Sequence, residues 1–160
     1  MNILVIVVAF ILGIGIAVLY FDKIIKKKNS QIGRSINLAD KHMELYMLMN
    51  QWVKNYQQGK MTKDYFINNN IKTIAIYGMN YVGQTLYDEL KNTEVKTLYG
   101  IDKNYKNIYS EIEVISPNDK LQVVDAIVVT SITFFDEIEK TLGKKTDIKI
   151  INFFDVLFEI

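Results

Sequence analysis

The longest uninterrupted run of apolar residues stands at the start of the chain. Ile3 to Phe21 contains no charged residue, and Asp22, Lys23 and the lysines at 26 to 28 follow it. As a helix this run would extend about 28 Å, close to the thickness of a bilayer core. Lysines on the C-terminal side predict that this side is cytoplasmic. We therefore predict an uncleaved anchor at residues 1–22 of a single-pass cell-membrane protein, with the N-terminus outside; the alternative is a core helix of a soluble protein.

A broader apolar stripe marks a second helical region. Residues 23–34 form a basic juxtamembrane linker, and residues 35–70 form a helical segment whose main helix ends before Gly59. Apolar residues recur there at spacings of seven, four, three and four, which predicts one face of a helix made of Leu38, Leu45, Met49, Trp52 and Tyr56. A stripe this wide suits packing on two sides. We therefore expect a homodimer in which Trp52 contributes to the interface.

From residue 71 onward the pattern alternates between strands and helices. Apolar strand patterns occur at residues 72–77, 96–101, 113–115, 126–131 and 148–152, with an amphipathic helix at 81–91. Capping boxes at Ser116–Asp119 and Thr133–Asp136 predict two further helix starts. Such alternation predicts an α/β fold with a parallel sheet and right-handed crossovers. The ninety residues from 71 to 160 correspond to half of a dinucleotide-binding (Rossmann) fold, a half-Rossmann sheet with flanking helices.

Composition excludes several kinds of chemistry. The chain has 160 residues, no cysteine and one histidine. Disulfides, thiolate metal sites, cysteine nucleophiles and multi-histidine metal sites are therefore excluded. The formal net charge of +1 argues neither for nor against a polyanionic partner. We expect no nucleic-acid partner. No set of side chains forms a recognisable catalytic group, so we name no catalytic residue and no metal ligand.

A glycine turn follows the first predicted strand, in the stretch IAIYGMNYVGQTLYDEL. The dinucleotide fingerprint needs a first glycine for the turn, a second for close approach to a pyrophosphate, and a third for packing of helix on strand. Gly78 and Gly83 match the first and third, and Asn80 stands at the second. Asp102, 24 residues after Gly78, stands near the position where an acid holds the ribose hydroxyls. With Ser131 at a later strand end, these residues are our candidate cofactor-binding site.

The same residues carry a resemblance to known proteins. The segments KTIAIYGMNYVGQTLYDEL, LYGIDKN, VISPNDKL and VDAIVVTS resemble the Rossmann-like NAD(P)-binding-type domains of bacterial surface-polysaccharide proteins. Examples are the N-terminal domain of sugar acyltransferases and the C-terminal domain of C-methyltransferases. The loop of these families usually reads G-A-G-x-x-G, so Asn80 departs from it. The resemblance implies a crevice that also receives Thr133 and Asn152, and a partner enzyme of polysaccharide biosynthesis.

Three functions remain open at this point. The first is a membrane-anchored module that binds a nucleotide or nucleotide-sugar in cell-surface polysaccharide biosynthesis. The second is a non-catalytic scaffold that oligomerises or docks a membrane enzyme. The third is a small NAD(P)-dependent oxidoreductase, which the absence of a catalytic set disfavours. The ligand would be NAD(P) or a nucleotide-sugar, and turnover would separate the first function from the third.

Overall fold

The computed structural model describes residues 2–160, except for the side chains of residues 4–9 and 11. Helix α1 (Ile3–Gln57) opens the chain. The chain divides into two compact units, residues 1–43 and residues 44–160. In the first unit the predicted basic linker is helical, and Lys26 pairs with Asp22 at 2.7 Å, one turn away. The second unit begins within α1 and contains the whole sheet.

The predicted anchor falls partly on residues whose side chains lie outside the description, namely 4–9 and 11. Within the described residues, no helix is both long enough and apolar enough to cross a membrane. The described apolar side chains between Phe10 and Phe21 are exposed. The membrane anchor therefore stays a prediction from the sequence.

The second unit is a mixed α/β structure around a five-stranded parallel sheet, which confirms the predicted class. After α2 (Thr62–Asn68) come β1 (Thr73–Tyr77), α3 (Tyr81–Leu90), β2 (Lys96–Ile101), β3 (Val114–Ile115), β4 (Ala126–Val129), α4 (Phe135–Leu142), β5 (Lys149–Asn152) and α5 (Phe153–Glu159). The strands lie in the order β3-β2-β1-β4-β5. β1 and β4 are buried along almost their whole length, as expected of central parallel strands covered on both faces.

Each face of the sheet has its own core. Alternate residues of β1 point to opposite faces, so Ile74 and Ile76 belong to one core and Ala75 and Tyr77 to the other. The first core receives side chains from α1, α2, α3 and α5. The second receives α4 through Ile138 and Leu142, together with part of the connection between β3 and β4. The sheet is therefore covered by helices on one face and by a single helix plus an irregular segment on the other.

Trp52 belongs to the core of its own chain. Its ring lies 4.8 Å from that of Phe153 in an edge-to-face arrangement, and its Nε1 donates a hydrogen bond to Glu89 Oε2 at 2.5 Å. One turn on, Asn55 Nδ2 donates to the carbonyl of Leu157 at 2.7 Å. The predicted stripe is thus divided, because Leu45, Met49 and Tyr56 are exposed. The homodimer stays a prediction, but Trp52 is not exposed enough to probe it.

The two predicted capping boxes differ in outcome: no helix forms after Ser116, whereas the helix predicted at Thr133 is present without the predicted cap. At Ser116, the backbone N–H donates to Asp119 Oδ2 at 2.9 Å, yet only a turn forms. At Thr133, the hydroxyl donates to Glu44 Oε2 at 2.7 Å, and α4 begins two residues later, after a short 3-10 turn at Ile132–Phe134. The helix at Ser116 is thus wrong, and the helix at Thr133 is confirmed with a start two residues later.

Candidate functional site

The glycine turn after β1 is tightly fixed. Gly78 has φ +98°, a conformation that glycine adopts at little cost. Its N–H donates to the carbonyl of Ile101 at 2.8 Å, and its carbonyl accepts a hydrogen bond from Thr130 Oγ1 at 2.6 Å. A Cβ at Gly78 would lie 2.6 Å from Ser131 Oγ. The turn is therefore held from both neighbouring strands and leaves no room for a side chain.

Gly83 performs the packing role that the fingerprint gives its third glycine. A Cβ at this position would meet the carbonyl oxygen of Gly78 at 2.2 Å and Ile76 Cγ2 at 3.3 Å. The first turn of α3 can approach the end of β1 only because residue 83 has no side chain. Gly83 therefore supports the turn without lining the cleft described below.

Asn80 is the N-cap of α3. Its Oδ1 accepts a hydrogen bond from the N–H of Val82 at 3.2 Å, and its backbone is extended, with φ −82°. Position 80 therefore does not need the left-handed backbone conformation that favours glycine. The first turn of a helix leaves N–H donors without intrahelical partners, and Asn80 occupies one of them. The exposed amide stands at the cleft wall, where the fingerprint would have a glycine.

Asp102, at the end of β2, clamps the glycine turn. Its Oδ2 accepts from the backbone N–H of Met79 at 2.9 Å, and its Oδ1 accepts from that of Asn104 at 2.7 Å. Met79 is fully buried against the sheet, where its side chain fills the space above Gly100. The carboxylate thus joins the ends of β1 and β2, and each oxygen keeps one lone pair for a further donor such as a ribose hydroxyl.

A cleft of about 740 Å³ opens at the carboxyl ends of the strands. Strand ends Tyr77, Ile101 and Val129 lie in one row across the sheet. The connection after β1 runs to one side of the sheet and that after β4 to the other, so β1 and β4 flank a topological switch point. The cleft is lined by residues that follow three of the strands, β1, β2 and β4, among them Gly78, Asn80, Tyr81, Asp102, Lys103, Tyr109, Ser131, Phe134 and Glu137.

The rim of this cleft is aromatic. Tyr81 is 92 % exposed at the first position of α3, and Tyr109 is 94 % exposed in the connection between β2 and β3. Large rings exposed to this extent beside a concavity are available to stack on a planar or pyranose ring of a ligand. Phe134 adds a partly exposed ring from the β4 side.

The charges in the cleft are mixed. Lys103 is the cation, and Asp102 and Glu137 are the two carboxylates; Lys103 Nζ lies 3.9 Å from Glu137 Oε1. Burial raises the pKa of the Tyr77 phenol, and the negative charges of Asp102 and Glu137 raise it further. Tyr77 therefore stays a neutral phenol at physiological pH. An anionic ligand would depend on Lys103 and on backbone donors.

The structure brings most of the candidate residues together. Gly78, Asn80, Asp102 and Ser131 line the cleft, whereas Gly83 lies behind it. Neither Thr133 nor Asn152 belongs to the lining: Thr133 bonds Glu44, and Asn152 caps α5 through the N–H of Phe154 at 3.0 Å.

Sequence reasoning did not identify several lining residues. Tyr77 ends β1, Lys103 and Tyr109 belong to the connection between β2 and β3, and Glu137 lies in α4, so the three parts meet only in the folded sheet. The adjacency of Lys103 to Asp102 was the one available signal, because a residue directly after a predicted strand end faces the same crevice.

Comparisons with models of protein families, with curated proteins and with solved structures find no match. The chemical interpretation of the cleft therefore depends on its residues and geometry.

Proposed function

We propose that the chain is a membrane-anchored, Rossmann-like module that binds a nucleotide or nucleotide-sugar, in bacterial cell-surface polysaccharide biosynthesis. The observation that carries the proposal is the cleft at the switch point between β1 and β4, with the glycine turn as its floor. Ligands of open α/β sheets bind outside the carboxyl ends of the strands at such a point. The polysaccharide context comes from the sequence resemblance alone.

Three features of the cleft support a nucleotide. The start of α3 lies at its wall, and helix N-termini favour anions. The exposed rings of Tyr81 and Tyr109 offer stacking surfaces for a base. Asp102 keeps free lone pairs toward a ribose. The turn is also fixed before any ligand arrives, so little conformational entropy is lost on binding.

The membrane anchor is supported by sequence. The uncharged run from Ile3 to Phe21 and the lysines that follow it favour an N-terminus outside and the sheet unit in the cytosol. A cytosolic position suits a nucleotide-dependent role.

The proposal is tested by calorimetry on the full chain in mild detergent, with ADP, UDP, UDP-glucose and NAD as probes. We expect weak binding by the wild type, because Asn80 crowds the space of the pyrophosphate. Asn80→Gly should tighten binding and lower stability by only a few tenths of a kcal/mol, the usual cost of a glycine cap. Asn80→Asp is the matched control, since it keeps the capping oxygen but adds a negative charge that should weaken binding.

Asp102→Ala removes the proposed ribose contact and the support of the loop together. It should weaken the binding of every nucleotide and also lower stability, since the backbone N–H of the buried Met79 loses its acceptor. If none of these proteins binds any of the probes, the sheet unit is a scaffold and the binding proposal is withdrawn.

A second function, an oligomerising scaffold, is favoured by one observation. In residues 44–160, α1 exposes the apolar side chains of Tyr46, Val53 and Tyr56 on the part of its surface not buried by Leu48 and Trp52. We take a second copy of the chain as the partner of this face. Sedimentation of wild type and a Tyr46→Lys, Val53→Lys variant tests it; identical monomeric profiles would remove this alternative.

A further inference from the structure

The connection between β3 and β4 contains no helix, although its capping box predicts one. It must pass from the carboxyl end of β3 over β2 and β1 to the amino end of β4. With strands about 4.8 Å apart and about 3.3 Å per residue, the distance is about 17 Å. The ten residues 116–125 would span only about 15 Å as a helix and about 33 Å when extended. A helix over all ten residues would therefore be too short for the crossover, so part of the connection must be extended.

This extended connection holds to the sheet mainly near its end. Val124 is buried in the second core, Leu121 packs against it, and the Tyr99 hydroxyl donates to the carbonyl of Gln122 at 2.8 Å. Its beginning contacts the segment that follows α4, where Lys145 Nζ donates to the carbonyl of Pro117 at 2.8 Å. Because no helix fills the space between this beginning and α4, a second compartment of about 330 Å³ lies there.

The second compartment adjoins the cleft directly. Both are lined by Tyr77, Lys103, Glu137 and Ile138, so these four residues stand at their common boundary. Lys103 and Glu137 are exposed and 3.9 Å apart, a weak surface pair that a ligand can displace. A ligand seated in the cleft could therefore extend into the second compartment without any change of the backbone.

The two compartments differ in chemistry. The cleft has the aromatic rim, whereas the second compartment has short polar groups and an amine, contributed by Ser116, Asn118, Thr141 and Lys145. The contacts of Lys145 Nζ are to uncharged oxygens, Pro117 O and Asn118 Oδ1, so they leave its positive charge uncompensated. Hydroxyl, amide and ammonium groups around a small cavity complement a ring that carries many hydroxyls.

We propose that the second compartment binds the sugar of a nucleotide-sugar whose nucleotide occupies the cleft. The inference rests on the proposed function and narrows its ligand class. A planar nicotinamide would fit less well, because Tyr77 is the only aromatic residue among those that line the compartment. The cleft contains two carboxylates and one lysine, and the positive charge of Lys145 in the second compartment offsets this excess of negative charge. This favours a diphosphate that joins the nucleotide to the sugar.

Calorimetry on the full chain in mild detergent compares each nucleotide with its extended form: UDP with UDP-glucose, GDP with GDP-mannose, and ADP with NAD. We expect at least one nucleotide-sugar to bind about tenfold more tightly than its nucleotide, the effect of one or two hydrogen bonds. Thr141→Trp, which fills the compartment from α4, should remove this advantage and leave nucleotide affinity unchanged. Lys140→Trp is the control, since its exposed neighbouring position lines neither cavity.

A second variant tests the same compartment in case Thr141→Trp does not fold. Lys145→Gln keeps a donor for Pro117 but removes the charge, and it should reduce the preference for the nucleotide-sugar. The inference is overturned if the wild-type chain binds nucleotides without preferring a nucleotide-sugar, or if both variants retain the full preference. It is also overturned if NAD is the only extended ligand that binds more tightly than its nucleotide. In each of these cases the proposed nucleotide site still stands. If no nucleotide or nucleotide-sugar binds, the proposed function fails and this inference fails with it.

Discussion

Replacing Gly83 with alanine tests the contact on which the shape of the glycine turn depends. The new Cβ would lie 2.2 Å from the carbonyl oxygen of Gly78, more than 1 Å inside an ordinary carbon–oxygen contact of about 3.3 Å. The carbonyl cannot retreat easily, because Thr130 bonds it at 2.6 Å and the N–H of Gly78 is bonded to Ile101 at 2.8 Å. Helix α3 must therefore move away from β1.

The expected cost follows from two opposing effects. Overpacking a well-filled site costs about 1–3 kcal/mol of stability. We expect Gly83→Ala toward the upper end of this range, because the atom that its Cβ meets is a backbone oxygen, which moves less easily than a side chain. Alanine regains about 1 kcal/mol through its higher helix propensity. We expect a net loss of about 2 kcal/mol in the free energy of unfolding, together with weaker nucleotide binding as the N-terminus of α3 shifts.

Urea unfolding of the full chain measures this loss. The transition is monitored by far-UV circular dichroism and by the fluorescence of Trp52, the single tryptophan. Gly143→Ala is the control: its φ is −60°, and its Cβ would lie 3.2 Å from the carbonyl oxygen of Glu139, against 2.2 Å at Gly83, so it should cost clearly less stability than Gly83→Ala. Equal stability of wild type and Gly83→Ala would refute the close approach of α3 to the turn.

Two further changes test the packing of α1 and the start of β1. Trp52→Ala should lower the unfolding free energy by about 3–5 kcal/mol without changing the oligomeric state, measured by circular dichroism and sedimentation; an altered assembly at unchanged stability would contradict this. Asp125 accepts hydrogen bonds from the N–H groups of Lys72 and Thr73, and these bonds hold the pKa of its carboxyl below the ordinary value. The stabilisation is present above the unfolded pKa of about 3.9 and is lost as pH falls through the lower folded value. Asp125→Asn should therefore be less stable than wild type at pH 7, with a difference that shrinks in acid urea titrations; a difference independent of pH would contradict the cause.

The sheet could be predicted from the sequence because its strands are short apolar runs bounded by turns. β2 occupies the predicted residues 96–101, and α3 begins at the predicted Tyr81. The glycine turn was visible for the same reason, since its residues are neighbours in sequence. What makes it rigid was not visible: Thr130 and Asp102 reach it from other strands, and nothing local indicates their contacts.

Two errors have a common physical origin. The stripe on α1 predicts an apolar face but not which part of it the sheet unit covers, and contacts such as that of Asn55 with Leu157 determine this. At Ser116 the backbone N–H donates to the carboxylate of Asp119 as in a capping box, yet a helix over all of residues 116–125 would be too short for the crossover, and only a turn forms. In both cases a local preference is weaker than a requirement set by residues distant in sequence.

The shape of the turn and its affinity for a ligand depend on different residues. Gly78 and Gly83 determine the path of the backbone, and Asp102 fixes it by a bond to Met79. Asn80 is not needed for that path, because its own conformation is open to any residue. A chain could therefore keep the turn while losing the phosphate site, and a fingerprint match alone is weak evidence of binding. The groups that would contact a ligand lie outside the glycines, in the exposed tyrosine at 81, the lysine at 103 and the compartment beyond it.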